Sequence, residues 1–360
     1  MNKKHYIIPI FVPHLACPHR CSFCDQHAIS GAASQPEPAA VKEIVNTYLQ
    51  TIPSEAIKEI AFFGGSFTGL PKARQQQFLQ EANVYLRTGA INGIRISTRP
   101  DYIDEDIIQV LKDYAVGTVE LGVQSFDSQV LTLSGRGHTS QHSMEAFRML
   151  RDNGFQVGIQ LMPGLPGSTE SSDFTSVSKT VLIHPDFCRL YPTVVLKNTT
   201  LASMQADIGY RPLTLETAIN FSKRAVVLLK ANDIPVIRVG LHPSPGLEAE
   251  VVAGPYHQAL GHLVETRIYY DMAKMLLKRQ NLCQGDMVRL LVSTQALSAM
   301  IGYRRINQIR LEHEYSGIGL EIKPDRDSSG DGVSILVNGT NKGELDMKTL
   351  LIEEYGLSLP

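Results

Sequence analysis

The sequence predicts an α/β chain of repeated βαβ units followed by a smaller α+β unit. Six short runs rich in β-branched and aromatic residues recur over its first two hundred positions. Segments of helical period separate them. Beyond Leu241 the alternation gives way to a different pattern. Strands alternating with helices at this spacing pair in parallel, because a parallel connection needs a long crossover and a helix supplies it.

The strand runs are residues 6–12, 60–63, 94–97, 118–123, 156–162 and 187–196. After the first, Pro36 and Pro38 can open a helix, since the N–H that proline lacks has no partner in a first turn anyway. Val41, Ile44, Val45, Tyr48 and Leu49 fall on one side of it. Pro71 can open a second helix, through Phe78 and Leu86. Asp104 caps a third, with Ile107, Ile108 and Leu111 inward and acids at the positive end of the dipole. Thr139 or Ser140 caps a fourth that buries Met144, Phe147 and Leu150 and stops at Asn153-Gly154. A helix over 215–230 and a strand over 234–239 follow, then a loop at Pro243, Pro245 and Gly246. A helix over 261–279 and a small α+β unit complete the chain. The expected domains are therefore 1–240 and 241–360, the second a substrate contact or lid. Periodicity is compatible with an open doubly wound sheet and with a partial barrel.

The 360 residues are 43% hydrophobic and 19% charged, which is ordinary globular usage. A formal charge of -2 excludes a nucleic-acid coat or a membrane-surface binder for the chain as a whole. No apolar stretch approaches the roughly 18 residues of a spanning helix. Two lysines before an apolar run imitate a secretory signal, but Pro9, Pro13 and His14 break that run and no small-residue cleavage site follows. A soluble, cytoplasmic protein with no membrane partner is expected. Five cysteines are too few for a disulfide scaffold, and three of them fall within eight residues. Cys188 and Cys283 read as buried small hydrophobes.

Cys17, Cys21 and Cys24 sit directly after the first strand, where a βα loop opens at the carboxyl end of a parallel sheet and ligands gather. Thiolates at intervals of four and three can wrap one loop around a single inorganic cluster. A 4Fe-4S cube held by three cysteines keeps one iron open to a small molecule. The same thiols could hold zinc with His14, His19 or His27, although a closed zinc site more often uses two separated ligand pairs. A third reading leaves them as core thiols. Gly64 and Gly65 follow the second strand, either as a plain turn or as a place where backbone approaches a ligand unhindered by Cβ. From Lys274 to Arg310 seven basic residues face one acid, Asp286. They suit RNA phosphates, or equally a solvated face paired with later acids. His242, His257 and His262 could line a substrate mouth or serve as hydrogen-bonded structural groups.

Three cysteines so spaced, with Phe23 before the third, resemble the signature of radical S-adenosylmethionine (SAM) enzymes. The resemblance implies a partial (β/α)6 barrel and a 4Fe-4S cluster whose open iron is chelated by SAM. It also implies reductive cleavage of SAM to methionine and a 5′-deoxyadenosyl radical that takes hydrogen from a substrate. An external one-electron donor such as flavodoxin or ferredoxin is implied with it. Gly64-Gly65 resembles the family's strand-two motif for the methionyl amino group. Residues 120–138 resemble a fourth-strand block shared by two subgroups: the Elongator catalytic subunit, which acts on tRNA wobble uridine, and oxygen-independent coproporphyrinogen III oxidase. By that likeness Gln124 and Arg136 contact SAM. Ser97 and Gln160 stand where the oxidase pattern has acids. Both keep hydrogen-bonding capacity, which retains them as SAM contacts, and lose the charge, which weakens the oxidase reading.

Residues 98–102 and 189–201 are also similar to the Elongator subgroup. This chain spaces its first two cysteines more closely than that subgroup does. The region after Leu241 has neither the length nor the glycine-rich loop of an acetyltransferase domain, so acetyl-CoA-dependent chemistry is not expected. The implied function is a radical SAM enzyme acting on an RNA base, in the manner of tRNA modification, with no catalytic residue assigned. The alternatives are a small-molecule oxidase of the porphyrin type and a zinc-bearing RNA-binding protein without catalysis.

Overall fold

The structure is a computed structural model that describes residues 4–12, 21–25, 36–207, 209–244, 246–325 and 330–357. It divides into two compact units, Met1–Leu213 with Leu241–Tyr256, and Thr214–Gly240 with His257–Pro360. In the first unit β1 (His5–Val12) leads to α1 (Ala40–Leu49), β2 (Ile57–Gly64), α2 (Lys72–Arg87) and β3 (Gly93–Thr98). Then come α3 (Glu105–Asp113), β4 (Thr118–Gln124), α4 (Ser128–Leu133), α5 (Ser140–Asp152), β5 (Gln156–Leu161), α6 (Glu170–Ile183) and β6 (Phe187–Leu190).

The main sheet has seven strands, and these six follow one another as β1-β2-β3-β4-β5-β6 with every pairing parallel. A doubly wound sheet reverses its winding at a switch point. Consecutive order has no such reversal, so each right-handed crossover leaves its helix on the same side. Strand order thus selects the half-barrel, the choice that periodicity leaves open.

Parallel register gives each face a separate character. One face carries Ile8, Ile10, Ile60, Phe62, Ile94, Ile96, Val119, Leu121, Val157 and Ile159, all essentially inaccessible beneath the helices. Burying each such side chain contributes on the order of 1.5–3 kcal/mol. The opposite face bears Glu59, Arg95, Ser97, Glu120, Gln160 and Arg189, a polar lining with Ser97 beside Glu120 and Gln160 beside Arg189 in register.

Local signals act as their chemistry requires. Asp104 accepts from the Ile107 N–H at 2.8 Å to cap α3, and Thr139 caps α5 by exchanging hydrogen bonds with His142. Met144, however, is 39% exposed, because the buried stripe of α5 runs through Ser143, Ala146, Phe147 and Leu150, one position away. In α1 only Val41 and Val45 are buried, and Tyr48 faces solvent. The run 187–196 is not one strand. Pro192 has no N–H to give a ladder, so β6 stops at Leu190. Val195–Leu196 pairs antiparallel with Val251–Ala253 instead.

The second unit is α+β, as expected. Helices Leu215–Ala231 and Leu260–Lys278 pack on each other. Its own four-stranded sheet runs Gly319–Asp325, Met287–Ser293, Val333–Val337, Thr340–Leu345, with only the first pair parallel. Three of the seven basic residues between Lys274 and Arg310 meet later acids: Lys274 with Glu314 at 3.0 Å, Arg289 with Glu321 at 2.9 Å, and Arg279 with Glu353. Cys283 is exposed, contrary to expectation, because it lies in a surface turn whose N–H donates to Asp286. Among the described residues no helix is long and apolar enough to cross a membrane.

Candidate cluster and cofactor site

Of the three clustered cysteines, Cys21 and Cys24 are described; Cys17 lies outside the described residues, as do His14, His19 and His27. Cys21 is buried and Cys24 half-buried. Their turn is closed by Cys24 N–H donating to the Cys21 carbonyl at 3.1 Å. It is pinned from two sides. Ser22 N–H donates to the Ser134 carbonyl at 2.9 Å, and Leu201 N–H to the Ser22 carbonyl at 2.7 Å. Phe23 anchors the loop by packing with Val130, Met162 and Leu165. The aromatic before the third cysteine is therefore a structural peg.

The expected residues stand at or just beyond the carboxyl ends of β2 to β5, and Arg136 among them touches Cys21. Gly65 N–H donates to the Val12 carbonyl at 2.9 Å, and Gly64 takes φ 108°, a conformation that only glycine adopts without strain. Arg136, 5% exposed, donates from Nη1 to Cys21 Sγ at 3.1 Å and from Nη2 to the Gly122 carbonyl. Gly122 leaves room for this. A Cβ there would lie 3.0 Å from Gln124 Nε2 and 3.4 Å from Arg136 Nη2. Gln124 has φ 66° at a bulge against β5 and accepts from Gln160 Nε2 at 3.2 Å. Ser97 lies two residues before Arg99 on the polar face.

Two polar atoms beside Cys21, Ser22 Oγ and Arg136 Nε, are buried with no hydrogen-bond partner among the described residues. Leaving such groups unmet costs about 1–3 kcal/mol each. Soft thiols flanked by unmet donors fit an iron–sulfur cluster and an anionic ligand at this position. Among the described residues no three histidine, cysteine or acidic side chains gather elsewhere into a metal site. His138, two residues past Arg136, is pushed down to about 3 by burial, then by the Arg136 charge. It stays neutral at ordinary pH, with Nε2 on the Val123 carbonyl at 3.2 Å. His257 has a structural role, its Nδ1 accepting from Ala259 N–H at 3.0 Å.

Below this cradle lies a charged ladder for which sequence reasoning gave no role. Arg95 donates to Glu59 from Nη2 at 2.7 Å and to Glu120 from Nη1 at 2.9 Å. Arg189 meets Glu120 through Nη2 at 3.1 Å and donates from Nη1 to Tyr191 Oη at 3.1 Å. Its Nε also lies 2.6 Å from Glu120, a close ion contact at an angle that makes no hydrogen bond. Burial alone would lower the Arg189 pKa, yet Tyr191 and Glu120 beside it hold it above its ordinary value. The sequence carries little signal for this, since an arginine alternating with two isoleucines (Ile94-Arg95-Ile96) reads equally as the solvent face of a half-buried strand.

Asp173 is a second buried acid missed by sequence reasoning. It is 6% exposed, and it accepts from the Gly164 N–H at 2.8 Å in the turn after β5. Burial raises its pKa to about 7 against that hydrogen bond. Between roughly pH 4 and 7 the folded state then holds a proton that the unfolded state has lost, so stability falls as pH rises through this window. Asp173→Asn is expected to flatten the dependence of urea midpoint on pH between 4 and 8 and to exceed the parent in stability at pH 8. An unchanged pH slope refutes this.

The Radical SAM superfamily profile matches residues 11–175, and the Radical_SAM C-terminal domain profile matches 185–270. The tRNA uridine(34) acetyltransferase of Dehalococcoides mccartyi is 29% identical over 240 residues, 57% of this chain and 52% of that protein. Elongator complex protein 3 of Saccharomyces cerevisiae is 28% identical over 192 residues, covering 48% and 34%. The chain spans about half the length, or less, of these curated relatives. The archaeal Elp3 structure from Methanocaldococcus infernus shares the fold, with a TM-score of 0.59, 20% identity, and coverage of 96% of this chain and 78% of that one.

Proposed function

The chain carries a radical SAM domain and is an enzyme of the radical SAM superfamily; from that premise we propose that it holds a 4Fe-4S cluster on Cys17, Cys21 and Cys24, binds SAM beside it, and takes hydrogen from an RNA base. The observation that carries this reading is the convergence of Arg136 on Cys21 Sγ, next to buried polar atoms that have no other partner. When bound, the cluster and SAM supply a 5′-deoxyadenosyl radical at the cost of one electron from an outside donor such as flavodoxin or ferredoxin.

The chain's own residues hold and orient. Cys17, Cys21 and Cys24 would hold the cluster as thiolates, a set that can leave a site open for SAM. Gly64 and Gly65 let backbone groups reach the methionyl amino group. Arg136 would offer a guanidinium to the carboxylate, its Nε having no partner among the described residues. Gln124, Gln160 and Ser97 offer amide and hydroxyl groups to the nucleoside end. RNA, and tRNA in particular, is supported by the similarity to tRNA uridine(34) acetyltransferases. The domain 241–360 is proposed to contact that substrate or to act as a lid.

The test is anaerobic reconstitution with iron and sulfide, then dithionite reduction with SAM and assay for 5′-deoxyadenosine. About four irons per chain and release of the nucleoside are expected, with turnover rising on addition of unmodified tRNA. A colourless protein that holds one zinc and leaves SAM intact overturns the reading in favour of a zinc-bearing binding protein.

A further inference from the structure

Arg99 follows β3 at the same end of the barrel, and its side chain is almost wholly enclosed at 2% exposure. Its guanidinium is fixed on every edge. Nε and Nη2 donate to the two carboxylate oxygens of Asp101 at 2.9 and 2.8 Å. Nη2 also donates to the Arg136 carbonyl, and the Tyr102 ring lies 5.7 Å beneath. Its backbone N–H donates to Ser66 Oγ at 3.2 Å, which ties the strand-three loop to the loop after the glycine pair. The remaining nitrogen, Nη1, stands 3.9 Å from Cys21 Sγ. Two guanidiniums thus address one sulfur, and the one from Arg99 is locked by a bidentate acid.

We infer that Arg99 and Asp101 form a charge pair that sets how readily a cluster on Cys21 accepts its electron, with Arg99 favouring reduction and Asp101 opposing it. The inference rests on the proposed ligation by Cys21. A cluster that takes up one electron gains one negative charge, and hydrogen bonds and charge at its sulfurs are among the terms that fix its potential. Arg99 is enclosed and the Asp101 side chain is 16% exposed, so water screens the pair only in part. Burial pushes the Asp101 carboxyl up, but the hydrogen bond and charge of Arg99 hold it below its usual range, and it is ionised at neutral pH. Lysine cannot replace Arg99 fully, because a point charge cannot span Asp101, the Arg136 carbonyl and Cys21 at once.

The experiment uses the full chain, reconstituted anaerobically with iron and sulfide without SAM or substrate. Iron content is measured, and the cluster midpoint is found by redox titration followed by electron paramagnetic resonance. Arg99→Gln, which leaves the Asp101 charge uncompensated, is expected to lower the midpoint. The expected size is a tenfold change in the ratio of oxidised to reduced cluster at fixed potential, about 59 mV for one electron. Asp101→Asn, nearly isosteric, is expected to raise it, and Arg99→Lys to fall between the parent and Arg99→Gln. Neighbouring substitutions with opposite signs mark charge rather than damage, since disruption of the loop would move both the same way. Loaded variants whose midpoints match the parent's overturn the inference while the ligation stands. A parent chain that takes up no iron removes the ligation itself and the inference with it.

Discussion

Cys21→Ala is expected to fold as the parent does, to bind far less iron and sulfide, and to form 5′-deoxyadenosine at background. The loop does not depend on the thiol for its shape. Backbone hydrogen bonds to Ser134 and Leu201 hold it on both sides, and Phe23 supplies its apolar anchor. Removal of one sulfur therefore takes away a proposed ligand while the cradle persists. Loss of an outer-shell partner typically costs 10–100-fold in metal affinity or activity; loss of one of only three anchoring thiolates is expected to exceed that range.

Cys188→Ala is the matched control. That thiol lies on the helix-covered side of β6, fully enclosed, and burial pushes it up to about 12, so it stays protonated and supplies no thiolate. The Cys188 variant should load a normal cluster. If Cys21→Ala loads iron and cleaves SAM at the parent rate, the ligand assignment is wrong.

The sequence exposed those parts of the molecule whose signals are local. Asp104 and Thr139 cap helices because a short oxygen-bearing side chain meets orphan N–H groups wherever it precedes a helix. The cysteine loop, the glycine pair and Arg136 were legible for the same reason, each being a short motif tied to a strand end. Residues whose meaning lies in strand order were not. The half-barrel followed from consecutive parallel pairing, which no single segment encodes. Helix α6 escaped notice because it is rich in serine and threonine and carries a weak apolar stripe. The division of the run 187–196 turned on one missing N–H at Pro192. Arg99 and Arg189 fall within segments that carry the Elongator resemblance, but nothing local to the chain assigns either a partner. They acquire roles only when β3, β4 and β6 bring Cys21 and Glu120 within reach.

Glu120→Gln is expected to destabilise the first unit by about 3–5 kcal/mol, the cost of breaking a buried ion pair by removing one partner. Glu120 is 4% exposed and stands between two guanidiniums, those of Arg95 and Arg189. Arg95 retains Glu59 when the charge is lost, but among the described residues Arg189 is left with Tyr191 as its one other polar side-chain partner. A buried cation without an anion is among the few changes that reach this size. With the scaling for a unit of this length, the fall in melting temperature is roughly 6–20 °C. A second substitution separates charge from shape. In an Arg189→Met background the stranded cation is gone, so Glu120→Gln should cost markedly less than in the parent, with a coupling of about 0.5–3 kcal/mol in the double-mutant cycle. Additive effects would show that Glu120 and Arg189 act independently, and the ladder would then be a row of neighbours without mutual support. The melting is best followed on cluster-free protein, where the charge balance of β2 to β6 is the only variable, so that a loss of stability is read apart from any loss of cofactor.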